Sequence, residues 1–529
     1  MATSILSAPG LAAGRCLEWA KDHGQDLGFG AVVAGALAVF AVAVHGYHPY
    51  AEDGGLYMAG VKWLLDPGLY PQGTVFVTEH LRFSLFAPTV AGVVRVSGAR
   101  LPVVLLALHG ATVWLTLFGM WMLAARMAVT RQARAGAVAL LACWLDLPVA
   151  GTSLLLMDPA VTARSFSTPC MIFALVGALD ATSETRGRRW RGVAVCCAAM
   201  AIAAAMHPLM AAYAAGAVLV LVCLRAVRRA VRVWGTAAIC AAALALAGWV
   251  AAAAPVESAA YVRIAMTRPY WYLAAWRWYE WVGLAAPLGI LAWLARGWRG
   301  CGEEEQATRA LARMAVVAGV TAAVTAMLFA RQGMAAHLVA RMQPLRLLQV
   351  VYLVLVAMLG TALGEHLLRR SAWRWGAALL VLGAPMFAAA RGTYPASRHV
   401  ETPWGGARNG WVQAFVWIRE NTPQNALFAL DADYISASGE DAQCFRAVAE
   451  RSALPDYSKD GGETSITPAL TEAWVAGQAG QKGLSGMTDA RREAALVPLG
   501  VDWVVLQAGA VTALPCPYGN AAVRVCRLR

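Results

Sequence analysis

The stretch of this chain best equipped for chemistry reads HPYAEDGGLY, residues 48–57, where two adjacent carboxylates, Glu52 and Asp53, precede two glycines. An amphipathic run over 56–65, stopped by Asp66-Pro67-Gly68, is expected to form a helix lying along a membrane surface. Asp53 then falls at or just before the helix N-terminus. Unpaired N–H groups and the helix dipole favour a negative charge there, so the carboxylate should stay ionised. Gly54 and Gly55 carry no side chains, which is expected to let a substrate approach the backbone and the carboxylate closely. An ionised carboxylate within hydrogen-bond reach of an attacking hydroxyl can take its proton. The plainer alternative is that Asp53 only caps the helix.

Cations recur at comparable positions. MDPAVTARSFSTP, residues 157–169, carries Asp158 and Arg164 at a membrane boundary, and His207-Pro208 forms a turn between apolar runs. HLVARMQPLRLLQ, residues 337–349, places His337, Arg341, Gln343 and Arg346 at the start of another run. Glu79 and His80, further along the segment that follows Asp53, are candidates for the same cavity. Cations held where water is scarce stabilise a group that gains negative charge during a reaction. Singly, each such residue is also explained as a side chain snorkelling from a helix end.

The elements that must position these groups are membrane spans. Of 529 residues, 59% are hydrophobic and 14% charged, with mean hydropathy +0.54, which excludes a single water-soluble globule. About eleven apolar stretches have the length of a crossing helix: 28–44, 101–125, 135–156, 166–181, 192–206, 209–224, 233–253, 281–295, 312–330, 349–364 and 376–390. Compact Lys/Arg loops at 126–134, 186–191, 225–232, 296–313 and 365–374 alternate with the others, which places them and the N-terminus in the cytoplasm. Residues 391–529 then face the periplasm of a bacterial inner membrane. Residues 1–27 lack the pattern of a cleaved signal peptide, so the first span is expected to be a retained anchor. The net charge is +13, yet residues 391–529 hold 13 Lys/Arg against 14 Asp/Glu, so the basic excess belongs to the membrane half and implies no nucleic acid.

The expected fold is therefore an all-α polytopic membrane domain over 1–390, with a long first outer loop at 46–100, followed by a soluble α/β domain over 391–529. In that domain Trp411, Phe415 and Ile418 mark an amphipathic helix ending at Asn421-Thr422-Pro423. Strands are expected at 426–430, 501–507 and 522–528, with helices near 467–476 and 488–496. The eleven cysteines form no metal-binding spacing, and Cys516 and Cys526 are close enough in sequence to close a hairpin in an oxidising compartment. The aromatic outer segment RPYWYLAAWRWYEW, residues 268–281, suits either a lateral opening for a lipid tail or an interfacial belt. Arg446, Arg451 and Lys459 are expected to hold the tail's fold together through ion pairs.

This layout resembles the type-C membrane glycosyltransferases, among them the oligosaccharyltransferase catalytic subunit, protein O-mannosyltransferases and aminoarabinose transferases. The resemblance rests on the acidic pair after span one, the long first outer loop, the many helices and the outer C-terminal domain. It implies an inverting transfer of a sugar from a polyprenyl-phosphate or polyprenyl-pyrophosphate donor to a glycan, lipid or protein acceptor on the periplasmic face. Carried over, Asp53 with Glu52 is catalytic. Arg346, Arg164, His207, Arg341 and His337 bind the donor phosphate, and Asp158, Gln343, Glu79 and His80 line the cavity. A divalent metal, Mg or Mn, on Asp53 and Asp158 is left open. No WWDYG-like signature occurs in the tail, and only Asp158 stands where the oligosaccharyltransferase branch has two acids, which argues against asparagine-linked protein glycosylation. The rival readings are a secondary transporter, which places ionisable groups near the midplane, and a non-catalytic assembly protein with a partner-binding tail.

Overall fold

The computed structural model describes residues 9–297, 302–436, 441 and 443–529, with side chains from residue 25 onward. The expected anchor over 28–44 lies within the described residues, whereas residues 298–301 of the expected basic loop 296–313 lie outside them. Eight described helices are long and apolar enough to cross a membrane: Gln25–His45, Leu101–Ala124, Arg186–Met206, Pro208–Arg225, Val231–Ala253, Glu303–Phe329, Leu338–Leu368 and Ala372–Thr393. The three further expected spans are helical but differ in kind. Ala163–Ala181 carries Arg164 and Asp180, and Trp278–Gly297 carries Glu280 and Arg296. The expected helix over 135–156 is cut short: it runs only from Arg131 to Cys143, 13 residues. Beyond it the chain folds back on itself, with Val149 N–H donating to Leu154 at 2.8 Å and Met157 N–H to Leu145 at 2.9 Å. Asp146 and Pro148 sit in that fold, a charge and an imino acid that a continuous span tolerates poorly.

Ion pairs gather the basic loops at one end of the bundle. Asp26 binds Arg131 at 3.1 Å and Arg134 at 2.5 Å. Asp180 binds Arg126 at 2.5 Å and Arg188 at 2.8 Å, and Arg188 continues to Glu303 at 3.1 Å. Nineteen residues of helix separate Asp26 from His45 near the opposite end, about 29 Å at 1.5 Å per residue, close to the thickness of the hydrocarbon core. Inside the bundle, Gly136 packs on Gly360 and Gly364, and a Cβ at any of the three would collide with the facing backbone. Gly360 and Gly364 stand four residues apart, the spacing that lets two spanning helices approach closely.

At the other end the first outer segment forms a helix from Glu52 to Leu65, longer than the expected run by one turn. The tail is α/β as expected. Asn409 caps the helix Gly410–Asn421, its side chain accepting from Trp411 and Val412. The sheet comprises β1 (Leu427–Ala429), β2 (Ser452–Ala453), β3 (Trp503–Gln507), β4 (Tyr518–Gly519) and β5 (Val523–Arg527), in the order β2-β1-β3-β5-β4. The β1 pairings are parallel and those of β5 antiparallel. Cys516 and Cys526 form a disulfide. Sequence reading missed β2 and β4, each two residues long, and the helix Lys459–Ile466.

The tail is not a separate body on a linker. Residues 399–401 pair with Tyr47, Cys444 N–H donates to Tyr50 at 3.1 Å, and Tyr70 Oη–H donates to the Arg446 carbonyl at 2.9 Å. Met58, Val61, Phe86 and Val161 share one apolar cluster with Cys444 and Ala447 of the tail. Burial of such mixed clusters makes the surface helix and the tail mutually dependent.

Candidate functional site

Asp53 occupies the first turn of the helix Glu52–Leu65, but it is not the cap. Ala51 holds that place, in extended conformation and without a side-chain bond. The preceding Glu52 is in the left-handed region at φ 50°, a conformation that costs a residue with a side chain about 1–2 kcal/mol. That kink turns the two carboxylates toward the tail. Gly54 and Gly55 do not open the site to a substrate as expected. Cβ atoms there would meet Ala160, Pro49, Tyr50 and Cys444, so the glycines allow the protein itself to pack tightly behind Asp53.

Both Asp53 oxygens are held by cations: Oδ2 accepts from Arg164 Nη2 at 2.9 Å and Oδ1 from Lys459 Nζ at 3.2 Å. Lys459 also pairs with Glu52. Burial alone would raise the Asp53 carboxyl, but Lys459 and Arg164 outweigh it and hold the group well below the usual carboxylate range. Its side chain keeps 35% of its exposure, so solvent still reaches it. Arg164 is aimed from behind by Asp158, which accepts from its Nε at 3.1 Å and its Nη2 at 3.0 Å. Thr162 steadies Asp158 with a 2.7 Å hydroxyl bond. His48 N–H donates to Pro159 at 2.9 Å, which ties the HPYAEDGG strip to the loop carrying Asp158.

Arg346 completes the group. It lies on a short turn, Pro344–Leu347, launched by Gln343 at φ 51°, the second left-handed residue beside a candidate side chain. It is within electrostatic reach of Arg164, Asp53, Tyr57 and Tyr270. Its Nε is buried without a hydrogen-bond partner, and among the described residues it makes no ion pair. His207 caps the helix Pro208–Arg225 and is reached by Arg346, Arg164 and Asp53. Burial, then Arg346 and Arg164, push its imidazole down to about 3, so it is neutral at pH 7.

The other candidates separate from this centre. His337 Nδ1 and Arg341 Nη2 each lie 2.8 Å from Glu257, which consumes both as partners, so neither is a free cation for phosphate. Gln343 serves through its backbone, and Glu79 pairs with Arg82 at 3.1 Å. His80 faces Glu463 of the tail at 3.5 Å. The aromatic outer segment divides: Trp271 and Tyr272 are buried, while Trp278 is 78% exposed. Its first residue, Arg268, donates to the carbonyls of Tyr457 at 2.8 Å and Ser458 at 3.0 Å, immediately before Lys459.

Lys459 is the residue that sequence reasoning misassigned. Arg446 and Arg451 do hold the tail together, Arg446 through both oxygens of Asp460 at 2.7 and 2.8 Å and Arg451 through the Thr422 carbonyl at 2.7 Å. Lys459 instead leaves the tail and reaches Asp53, 406 positions away. One signal was present: only four of the 44 basic residues are lysines, so a lysine is the exception here. Its compact ammonium reaches the neighbouring carboxylates Glu52 and Asp53 at once.

Among the described residues, no group of three or more His, Cys, Asp or Glu side chains is arranged to hold a metal. The Arg164 guanidinium bridges Asp53 and Asp158, filling the place a divalent cation would take between them. The pair as arranged does not fit a metal.

No family model matches this sequence, and no curated protein matches it significantly. Among solved structures, the chain is similar to the mycobacterial arabinofuranosyltransferase AftD. The match, to a cryo-EM structure, has a TM-score of 0.43 at 13% identity and covers 95% of this chain but 40% of AftD. The chain thus spans under half of AftD's length, and at this identity neither residues nor activity carry over.

Proposed function

We propose that the protein is a polytopic glycosyltransferase that moves a sugar from a polyprenyl-phosphate or polyprenyl-pyrophosphate donor to an acceptor hydroxyl. The observation that carries this reading is Arg346, a guanidinium that makes no ion pair among the described residues and lies within electrostatic reach of a carboxylate already bound to two cations. A poorly hydrated cation without a counter-charge is a site for an anion. The donor phosphate docks on Arg346, with Arg164 and Lys459 in reach. As the bond to the anomeric carbon breaks, the charge gained by the phosphate falls on these cations, which do the electrostatic work that other enzymes give to a metal.

Asp53 is the base in this scheme. At rest its cations make it a weak one. A phosphate competing for Arg164 and Lys459 loosens their hold, and the carboxylate strengthens as the donor arrives. It then takes the proton of the acceptor hydroxyl, which attacks the anomeric carbon opposite the phosphate, so a single displacement inverts the sugar. The disulfide supports assigning the tail end to an oxidising compartment, the periplasm of a bacterial inner membrane, with the basic loops in the cytoplasm.

The test is release of polyprenyl phosphate from sugar-loaded lipid by the full chain in lipid nanodiscs. Asp53→Asn and Arg346→Ala, checked for folding by thermal melting, should each lose about a hundredfold or more. Wild-type release in both folded variants would remove these residues from their roles.

A further inference from the structure

Two helices face each other beyond the centre just described. The surface helix presents Asp53, Tyr57 and Gly60, at spacings of four and three residues that share one face, and the tail helix presents Lys459 and Glu463, four apart. Asp53 meets Lys459 at the near end of this seam. At its far end His80 packs on Gly60, where a Cβ would come within 2.8 Å of its Nε2, and faces Glu463 at 3.5 Å. Tyr57 connects the ends: its ring lies edge-on to His80 at 5.6 Å, and its phenol is in electrostatic reach of Asp53, Arg164 and Arg346.

The far end is polar and unsatisfied. The Glu463 side chain is 3% exposed and that of His80 10%, yet both carboxylate oxygens and both ring nitrogens lack hydrogen-bond partners. His80 Nδ1 and one Glu463 oxygen meet only each other, at 3.5 Å, and Nε2 and the other oxygen have no partner among the described residues; native interiors rarely leave buried polar atoms so poorly satisfied without a functional reason. Two side chains are too few for a metal site. A carboxylate accepts and an imidazole both donates and accepts, a set that matches neighbouring sugar hydroxyls.

Resting on the proposed transferase reading, we infer that Glu463 and His80 form an acceptor subsite that binds the hydroxyls of a carbohydrate, which makes the acceptor a glycan. Seven residues of helix separate Gly60 from Asp53, about 10 Å along the axis. At that distance the dyad holds the sugar next to the reacting one, and the tail selects the acceptor while the membrane half handles the donor.

The probe is a panel of methyl glycosides of glucose, galactose, mannose and arabinose, as monosaccharides and disaccharides. Binding to the full chain in nanodiscs is followed by saturation-transfer NMR. At least one disaccharide glycoside should bind better than its monosaccharide, and Glu463→Gln and His80→Gln should each weaken it about tenfold with melting temperature kept. If either variant fails to fold, the other decides. Absence of binding by every glycoside, or equal binding by wild type and the folded variants, overturns the subsite. Donor cleavage is scored separately. Wild type that cleaves donor while saccharide binding ignores Glu463→Gln defeats this inference alone, and wild type that cleaves no donor defeats the transferase reading.

Discussion

Asp53 at rest is surrounded by too much positive charge to be a strong base. Its depressed carboxyl places the acid limb of kcat/KM, which reports the free enzyme, below the usual carboxylate range. The limb of kcat reports the donor complex, where Lys459 and Arg164 are shared with phosphate, so it should lie at higher pH. Coincident limbs in the two profiles would show that donor binding leaves the base unchanged. Lys459→Ala removes one of these cations and should raise the kcat/KM limb while lowering kcat about tenfold or more. Lys459→Arg should not restore kcat, because the pocket between Glu52 and Asp53 is formed around a compact ammonium.

Elements carry two further expectations. Asp456 accepts from Lys459 N–H at 2.6 Å, and its carboxyl, buried and next to Asp460, is pushed up to about 7. A folded value above the unfolded one means stability fully present below about pH 4 and lost as pH rises through 7. The melting temperature should therefore fall between about pH 4 and 7, and Asp456→Asn should flatten that slope. In the bundle, Gly360→Leu should lower the melting temperature, since overpacking costs about 1–3 kcal/mol and the facing atoms at Gly136 and Ala137 are backbone. Apolar length made most spans legible in the sequence, and the Asn409-capped helix of the tail was legible from Trp411, Phe415 and Ile418. The break after Cys143 was not, because hydropathy averages over Asp146 and Pro148. Arg164 and Arg346 stand in local motifs, which is why the sequence drew attention to them. Glu257, which takes His337 and Arg341 out of the site, and Lys459 act across distances that no local pattern encodes.

At the scale of the whole molecule, the tail is part of the centre. Residues 1–390 alone should neither release polyprenyl phosphate nor keep the surface helix ordered, as hydrogen exchange over 52–65 would report. That helix loses Lys459 and Glu450, its partners for Asp53 and Lys62, together with the apolar cover of Cys444 and Ala447. Protection there equal to that of the full chain would show that the membrane half organises the helix unaided. The 406-residue separation of Asp53 from Lys459 also sets a schedule. Asp53 emerges early in translation, and its ammonium partner arrives only after all the long apolar helices have been made. On the proposed reading, a half-made copy lacks that ammonium and should stay inert toward its donor until the distal segment has folded against the surface helix.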